Sequence, residues 1–174
     1  VERHYDSGIT EMEWPLVDTE SFLDSVSIRE QRADSRAIAR LLLPKSIAVV
    51  GASDTPGTVG HALWRNTVRQ FSGPVHPVNP NHATVGGIHA VSSVRDIESD
   101  VWLAIIAVPV GDLVATLDDC IAHRVRGAVI VTSTDGSDLD MPAIVANCRR
   151  NGMRIIGPTS MGIASPRPGG VSAA

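Results

Sequence analysis

The sequence predicts an α/β protein built on a doubly wound parallel sheet. Short apolar, β-branched runs alternate with amphipathic helical patterns from Lys45 onward. The first run, Ile47–Val50, leads through a glycine-rich loop into a helical pattern, and Val101–Val108 is almost continuously apolar. A run of that kind is typical of a central strand covered on both faces. Alternating strands and helices imply parallel strands with right-handed crossovers, so we expect a Rossmann-like sheet.

Composition and charge exclude several classes of function. The 174 residues are 43% hydrophobic and 3% aromatic, and no apolar run approaches the ~20 residues of a membrane span. A formal net charge of −4 argues against broad attraction to nucleic acid or membrane surfaces. The two cysteines, Cys120 and Cys148, lie in apolar helical patterns. They predict buried thiols and no disulfide, which fits a reducing cytoplasm.

Three regions are expected along the chain. Residues 1–43 form an N-terminal extension, acidic and mixed up to about residue 26, with a helix from Ile28 to Leu43 that Ser27 caps and Pro44 ends. Residues 44–168 form the α/β domain, as one domain beside that helical extension. Residues 169–174 are expected to begin a linker to a further domain, because the chain starts without Met and ends in an unfinished stretch.

The elements of the α/β domain follow one another regularly. The first strand, Ile47–Val50, precedes a helix from about Gly60 to Gln70. The rest are predicted as a strand at Val75–Val78, an extended piece at Gly86–Val91, a helical turn at Val94–Ile97, a central strand at Val101–Val108, a helix at Asp112–Ala122, a strand at Ala128–Val131, a helix capped by Asp140 with Pro142 in its first turn, and a strand at Arg154–Ile156.

Small polar residues and glycines follow each predicted strand. In an open parallel sheet the ligand binds beyond the carboxyl ends of the strands. The five loops there comprise residues 51–58, 79–82, 109–111, 132–136 and 157–162. Together they predict a cradle for phosphate and ribose, since glycines let backbone N–H groups approach and a helix N-terminus favours an anion. Each loop is also compatible with ordinary turn chemistry, and the glycine spacing is not G-x-G-x-x-G.

The end of the second strand weakens a nicotinamide-dinucleotide interpretation. A site for NAD usually has Asp or Glu there, to bind the ribose hydroxyls. This chain has Val78, Asn79 and Pro80, and no arginine that would take the phosphate of NADP. An NAD(P)-binding domain of an oxidoreductase therefore remains only an alternative.

Several motifs, in this order, resemble those of one family. They are Gly51-Ala52-Ser53 with Pro56-Gly57 and Val59-Gly60, then Pro77-Val78-Asn79-Pro80, Ala107-Val108-Pro109, and Ile156-Gly157-Pro158 with Gly162. From about Leu42 to Pro166 the chain resembles the CoA-binding domain of NDP-forming acyl-CoA synthetases. That family includes acetate–CoA ligase (ADP-forming) and the α subunit of succinyl-CoA synthetase. The leader resembles bacterial fusions in which a GNAT acetyltransferase precedes this module, so residues 1 to about 26 would be its tail or linker.

The resemblance implies a CoA site. Residues that would hold the CoA phosphates are Ser53, Thr55, Gly57, Thr58, Val59 and Gly60, and Gly51 would also belong to the site. The nucleotide end would be flanked by Asn79, Pro80, Asn81 and His82, and the adenine or pantetheine side would contact Val108, Pro109 and Val110. Thr134 and Asp135 would lie near the thiol.

This chain departs from the family in two places. Relatives often carry a lysine where Asn81 or His82 stands, and the family's Gly-Pro-Asn-Cys reads Gly157-Pro158-Thr159-Ser160.

The resemblance also assigns the chemistry to parts that this sequence lacks. The family passes a phosphoryl group through a histidine on a following domain and binds ATP or ADP on an ATP-grasp region. We therefore expect no catalytic residue here, and CoA or acyl-CoA as the cofactor. We also expect no metal ligands, because Cys120 and Cys148 are far apart and belong to no Cys/His motif. The predicted function is the CoA-binding domain of a larger acyl-CoA synthetase-like or acetyltransferase-fused protein, partnered by those downstream domains. A CoA- or nucleotide-sensing domain without catalysis is a second alternative.

Overall fold

A computed structural model describes residues 2–6, 9–13, 41–165 and 171–173 of the chain. The chain divides into two compact units, Val1–Arg36 and Ala37–Ala174. In the first, β1 (Glu2–Asp6) pairs antiparallel with β2 (Ile9–Glu13). The predicted helix from Ile28 lies outside the described residues except at its end, where Leu41 and Leu42 are helical. Within the described ranges, no helix has the length and apolar character needed to cross a membrane.

A five-stranded parallel sheet forms the centre of the second unit. Its strands are β3 (Ile47–Val50), β4 (Val75–Val78), β7 (Leu103–Ile106), β8 (Gly127–Ile130) and β9 (Arg154–Ile156). They lie in the order β4-β3-β7-β8-β9, and every adjacent pair is parallel. The predicted Rossmann-like parallel sheet is therefore confirmed. The central strand is shorter than Val101–Val108, because only its middle four residues join the ladders.

Three helices connect these strands. They are α1 (Val59–Gln70), α2 (Leu113–Ala122) and α3 (Met141–Arg150), with 3₁₀ turns at Val94–Asp96 and Val110–Asp112. Thr58 caps α1 by accepting from the backbone N of His61, and the Asp140 side chain caps α3 by accepting from Ala143 N. Asp112 occupies the same position at α2 but makes no side-chain capping bond.

Two short antiparallel pairs complete the described fold. The extended piece predicted at Gly86–Val91 is a hairpin of β5 (Thr84–Val85) and β6 (Ile88–His89). Asp54 in the loop after β3 accepts from Gly86 N at 2.7 Å, which fixes the hairpin turn beside that loop. Farther along the chain, β10 (Ile163–Ala164) pairs with β11 (Ser172–Ala173).

The sheet separates two apolar layers, as the alternation of side chains along a strand requires. Ile47, Val49 and Ile105 face the layer that contains Leu63 and Trp64 of α1. The opposite face packs against α2 and α3, whose members in that layer include Leu113, Leu117, Cys120 and Cys148. Helices on both faces make the sheet doubly wound.

Both cysteines are free and buried, which confirms the predicted thiols. Burial, followed by the nearby carboxylate of Asp119, raises the pKa of Cys120 to about 12. Burial likewise raises the pKa of Cys148. Both thiols therefore resist forming the reactive thiolate while the protein is folded.

Two cationic side chains lie near the amino ends of the strands. The Trp102 ring lies between Lys45 Nζ, 4.9 Å from its centroid, and the Arg126 guanidinium carbon, 3.8 Å from it. Ser46 Oγ donates to Asp100 O at 2.6 Å and accepts from Trp102 N at 3.1 Å. Lys45 and Arg126 thus lie at the edge of the sheet opposite the ends at which ligands bind in such folds.

Candidate functional site

Hydrogen bonds tie the loops at the carboxyl ends of the strands to one another. Asn79 Nδ2 after β4 donates to Ala52 O after β3 at 2.7 Å. Thr132 Oγ1 after β8 donates to Val108 O after β7 at 2.7 Å, and Thr159 N after β9 donates to Thr132 O at 3.1 Å. The predicted convergence on one edge is therefore confirmed.

Two glycines of the first loop are required by backbone packing. A Cβ on Gly51, whose φ is +87°, would overlap Ala107 O and lie 2.9 Å from the carbonyl carbon of Ala107. A Cβ on Gly60 would overlap Gly51 O. These glycines bring α1, the loop and β7 close together, so their first role is in the fold. Gly57 differs, since its φ of +84° requires glycine while no atom lies within 4 Å of an added Cβ.

Two hydroxyls of this loop make hydrogen bonds within it. Ser53 Oγ accepts from Thr55 N at 3.0 Å. Thr58 Oγ1 donates to Thr55 O at 2.8 Å and accepts from His61 N at 3.2 Å. The first bond along α1 runs from Ala62 N to Thr58 O, so the preceding amides of Val59 and Gly60 have no carbonyl within the helix. With the helix dipole, these two amides form the natural anion-binding end of α1.

A cavity of about 320 Å³ lies where the strand order reverses between β3 and β7. We call it the switch-point cavity, since ligands of doubly wound sheets bind at this place. Predicted residues that line it are Gly51, Asn79, Pro80, Asn81, Val108 and Pro109. The others are Val50, Ser92, Ala107, Asp112 and Thr116.

A second cavity of about 420 Å³, the flanking cavity, lies on the β8 side of the same segment. Predicted residues that line it are Val59, Val108, Pro109 and Val110, and the others are Ala107, Val131, Thr132 and Ser133. The two cavities share Ala107, Val108 and Pro109. Val59 is the first residue of α1, so the start of the helix lies at the wall of the flanking cavity.

The remaining predicted residues line neither cavity. His82 is exposed, and its backbone N donates to Asn79 O at 3.5 Å. Thr134 O accepts from Ser137 N and Oγ at 3.1 and 2.7 Å, and Asp135 bonds to Ser133 in the same loop. Ser53, Thr55, Gly57, Thr58 and Gly60 shape the first loop without lining either of these two cavities.

Sequence reasoning missed the polar residues that α2 contributes. Asp112 and Thr116 line the switch-point cavity together, because residues four apart share a face of a helix. The sequence pattern marked Asp112 only as the start of a helix. Thr132 and Ser133 were included in a loop but not singled out, although both line the flanking cavity.

The aspartates at this edge are not matched by Lys or Arg in the five loops. The five loops contain neither lysine nor arginine, while Asp54, Asp112 and Asp135 lie in or directly beside them. Negative charges of a ligand at these loops would therefore meet backbone N–H groups and neutral polar side chains in place of Lys or Arg. No group of three or more His, Cys, Asp or Glu among the described residues could hold a metal ion.

Another cavity, of about 430 Å³, lies beside the sheet-edge strand β4 and includes His76, Glu98 and Ser99 in its lining. His76 Nε2 is 3.3 Å from Ser99 Oγ, and His123 Nε2 is 3.1 Å from Ser99 O. Burial, followed by the repulsion of His123, lowers the pKa of His76. This cavity shares no residue with the two at the strand ends.

Comparison with known proteins gives a consistent result. A family model described as a CoA binding domain matches residues 45–166. Acetate–CoA ligase [ADP-forming] of Methanocaldococcus jannaschii is 37% identical over 123 residues, which are 69% of this chain and 17% of that protein. The 4-hydroxybutyrate–CoA ligase [ADP-forming] of Nitrosopumilus maritimus is 30% identical over 129 residues, 71% of this chain and 18% of that protein. The chain thus spans less than a fifth of the length of either relative.

A solved structure agrees. The dinucleotide-forming acetyl-coenzyme A synthetase 1 of Ca. Korarchaeum cryptofilum, in complex with phosphate and ADP, superposes with a TM-score of 0.67 at 34% identity. The match covers 72% of this chain and 28% of that one. The family model begins at residue 45, so the acetyltransferase tail predicted within residues 1–26 stays a prediction.

Proposed function

The chain belongs to the CoA-binding domain family of ADP-forming acyl-CoA synthetases, and on that premise we propose that its strand-end cavities hold CoA in a set orientation. The observation that carries this proposal is the position of Val59, the first residue of α1, in the lining of the flanking cavity. The CoA pyrophosphate lies at the Val59 and Gly60 amides. The neighbouring cavities then take the two ends of the ligand across their shared wall of Ala107, Val108 and Pro109.

The roles of the predicted residues follow from where they lie. Gly51 and Gly60 permit the close packing that places the amides, and Gly57 supplies the turn before α1. Ser53, Thr55 and Thr58 hold the loop in shape through their mutual bonds. Asn79, Pro80 and Asn81 bound the nucleotide end of the site. Val108, Pro109 and Val110 form the apolar wall, while His82, Thr134 and Asp135 lie at its periphery.

The nicotinamide alternative is weaker in structural terms as well. In an NAD site the residue that ends the second strand reaches the ribose. Here the Asn79 side-chain nitrogen donates to Ala52 O, and its Oδ1 accepts from Asn81 N at 2.8 Å. This side chain braces the loops, and it is an amide in place of the carboxylate that accepts from the ribose hydroxyls in NAD sites.

At the level of the parent protein, we propose an acyl-CoA synthetase in which downstream domains supply the phosphorylated histidine and the ATP-grasp site. Residues 44–168 are the CoA-binding domain, residues 1–43 an extension before it, and residues 169–174 the start of the linker beyond it. This chain alone makes no acyl-CoA from acetate, CoA and ATP. We place the parent protein in the cytoplasm, in keeping with two free thiols.

The binding site is tested by calorimetric titration of the chain with CoA, acetyl-CoA, NAD and ATP. Val59→Pro removes one amide donor at the first helical position, which proline tolerates. Thr58 is extended, with φ −86° and ψ 152°, as the residue before a proline must be. CoA affinity should fall about tenfold or more, the value of a hydrogen bond to a charged group.

Val59→Ala is the matched control, because it trims the side chain and keeps the amide. It should retain most of the affinity. Tight binding of NAD without binding of CoA would refute the proposed function. Equal CoA affinity for the proline and alanine variants would remove the α1 amide from the site.

A further inference from the structure

We propose that the switch-point cavity selects a ribose hydroxyl over a ribose phosphate, so that the 3′-phosphate of CoA adds no affinity in this protein. The inference rests on the proposed function, because it assumes that the nucleotide end of the ligand enters this cavity. It concerns which adenosine end the cavity prefers, and it can fail while CoA binding itself holds.

The place of the ribose follows from the topology. In doubly wound sheets the residues after the second strand lie beside the ribose of a bound nucleotide, where an acidic group binds a hydroxyl and an arginine takes a phosphate. The second strand of this sheet is β4, and Asn79, Pro80 and Asn81 after it line the switch-point cavity. No described residue in the lining of this cavity is Lys, Arg or His.

The backbone donors of Asn79 and Asn81 after β4 are already committed, and so is one N–H of the Asn79 side chain. Asn79 Nδ2 donates to Ala52 O at 2.7 Å, and Asn81 N donates to Asn79 Oδ1 at 2.8 Å. Asn79 N donates to Val91 O at 2.9 Å. A phosphate that entered here would lose its water and find few N–H groups in return. Such desolvation without new hydrogen bonds is unfavourable.

Asp112 supplies the opposite chemistry. It stands at the N-cap of α2 without a side-chain capping bond, so its carboxylate has no bond to the helix that would hold it. It lines the cavity with Thr116, one turn farther along the same helix. An ionised carboxylate only accepts hydrogen bonds. It can therefore accept a hydrogen bond from a ribose hydroxyl. It repels a phosphate, because both groups carry negative charge.

The test compares CoA with dephospho-CoA, which carries a hydroxyl in place of the 3′-phosphate. Calorimetry on the full chain should give dephospho-CoA an affinity equal to or greater than that of CoA. Asp112→Asn removes the charge and keeps a residue favoured at an N-cap. It should tighten CoA by about three- to tenfold at low salt, from the loss of a like-charge repulsion, without a similar gain for dephospho-CoA.

Asp118→Asn is the matched control. It makes the same change of charge on the same helix at an exposed position outside the cavity lining. Its ratio of the two affinities should equal that of the wild type. CoA bound tenfold tighter than dephospho-CoA by the wild type would overturn the inference, as would an unchanged ratio in Asp112→Asn. If neither ligand binds, the proposed function fails instead.

Discussion

Replacement of Gly60 by alanine tests whether this glycine serves the fold or the ligand. From the sequence alone, Gly60→Glu is expected to abolish ligand binding and leave the fold largely intact, with a packing glycine as the other interpretation. The structure supports the second, because Gly60 is buried and an added Cβ would overlap Gly51 O. It would also lie 3.0 Å from the carbonyl carbon of Gly51.

The cost follows from this geometry. The obstacle is backbone, so α1 or the loop must move by roughly 1 Å to restore van der Waals contact. Overpacking of this kind costs about 2–3 kcal/mol. In a chain of this length it should lower Tm by about 5–10 °C. We therefore expect Gly60→Ala to be strongly destabilised before any ligand is added.

The assay is urea unfolding monitored by circular dichroism. The slope of the free energy of unfolding against urea concentration should be the same in the variant and the wild type. Gly111→Ala is the matched control, since no atom lies within 4 Å of an added Cβ there. Its stability should remain within about 0.5 kcal/mol of the wild type. A Gly60→Ala protein with the wild-type midpoint would refute the packing argument, whatever its affinity for CoA.

Three further predictions follow from other contacts. Thr58→Ala should lower the free energy of unfolding by about 1 kcal/mol, because α1 loses its cap. Thr58→Ser keeps the hydroxyl and should retain most of the wild-type stability. Denaturant midpoints measure both variants. The pKa of His76 is lowered in the folded protein, so the imidazole binds a proton more readily in the unfolded chain. The free energy of unfolding should therefore fall as the pH drops from 7 to 5. His76→Gln should make that fall smaller, and melting curves recorded at a series of pH values measure it. His82→Lys should tighten CoA by about 0.2–1 kcal/mol through an exposed ion pair, less so at high salt, in titrations at two ionic strengths.

Each of these has a contrary outcome. A serine variant at position 58 as unstable as the alanine variant would show that the hydroxyl is not the cap. An unaltered pH slope in His76→Gln would assign the acid sensitivity to other groups. A lysine at position 82 that tightens dephospho-CoA as much as CoA would place the 3′-phosphate away from this loop.

The sequence predicted the sheet well because its strands carry strong local signals. Ile47–Val50, Val75–Val78 and Arg154–Ile156 have the predicted bounds, and Asp140 caps α3 as expected. Two strands differ from the prediction. β8 spans Gly127–Ile130, one residue earlier than the predicted Ala128–Val131, and the central strand is shorter than its apolar run. Val101 and Val108 are apolar like the rest of their run, but pairing with the neighbouring strands ends at Leu103 and Ile106. Hydrophobicity marks burial, and only the neighbours decide where a strand stops.

The location of the site could be predicted from the sequence, but the roles of several of its residues could not. Glycines and small polar residues after each strand located the edge, since parallel strands end on the same side. The roles of Gly51 and Gly60 could not be predicted, because the atoms that crowd them lie on Ala107 and on the loop itself. Asp112 was missed for a related reason. An aspartate before a helix normally caps it, and only the structure shows that this one does not.

The arrangement of charge about Trp102 has a kinetic consequence. Lys45, the single lysine of the chain, and Arg126 stack on this ring near the amino ends of the strands, while the opposite edge carries aspartates. An anionic ligand that diffuses toward the strand ends is therefore repelled at long range and attracted only on contact with the amides of α1. Added salt shortens the range of that repulsion. Capture of CoA should accordingly become faster as ionic strength rises, the reverse of electrostatic steering.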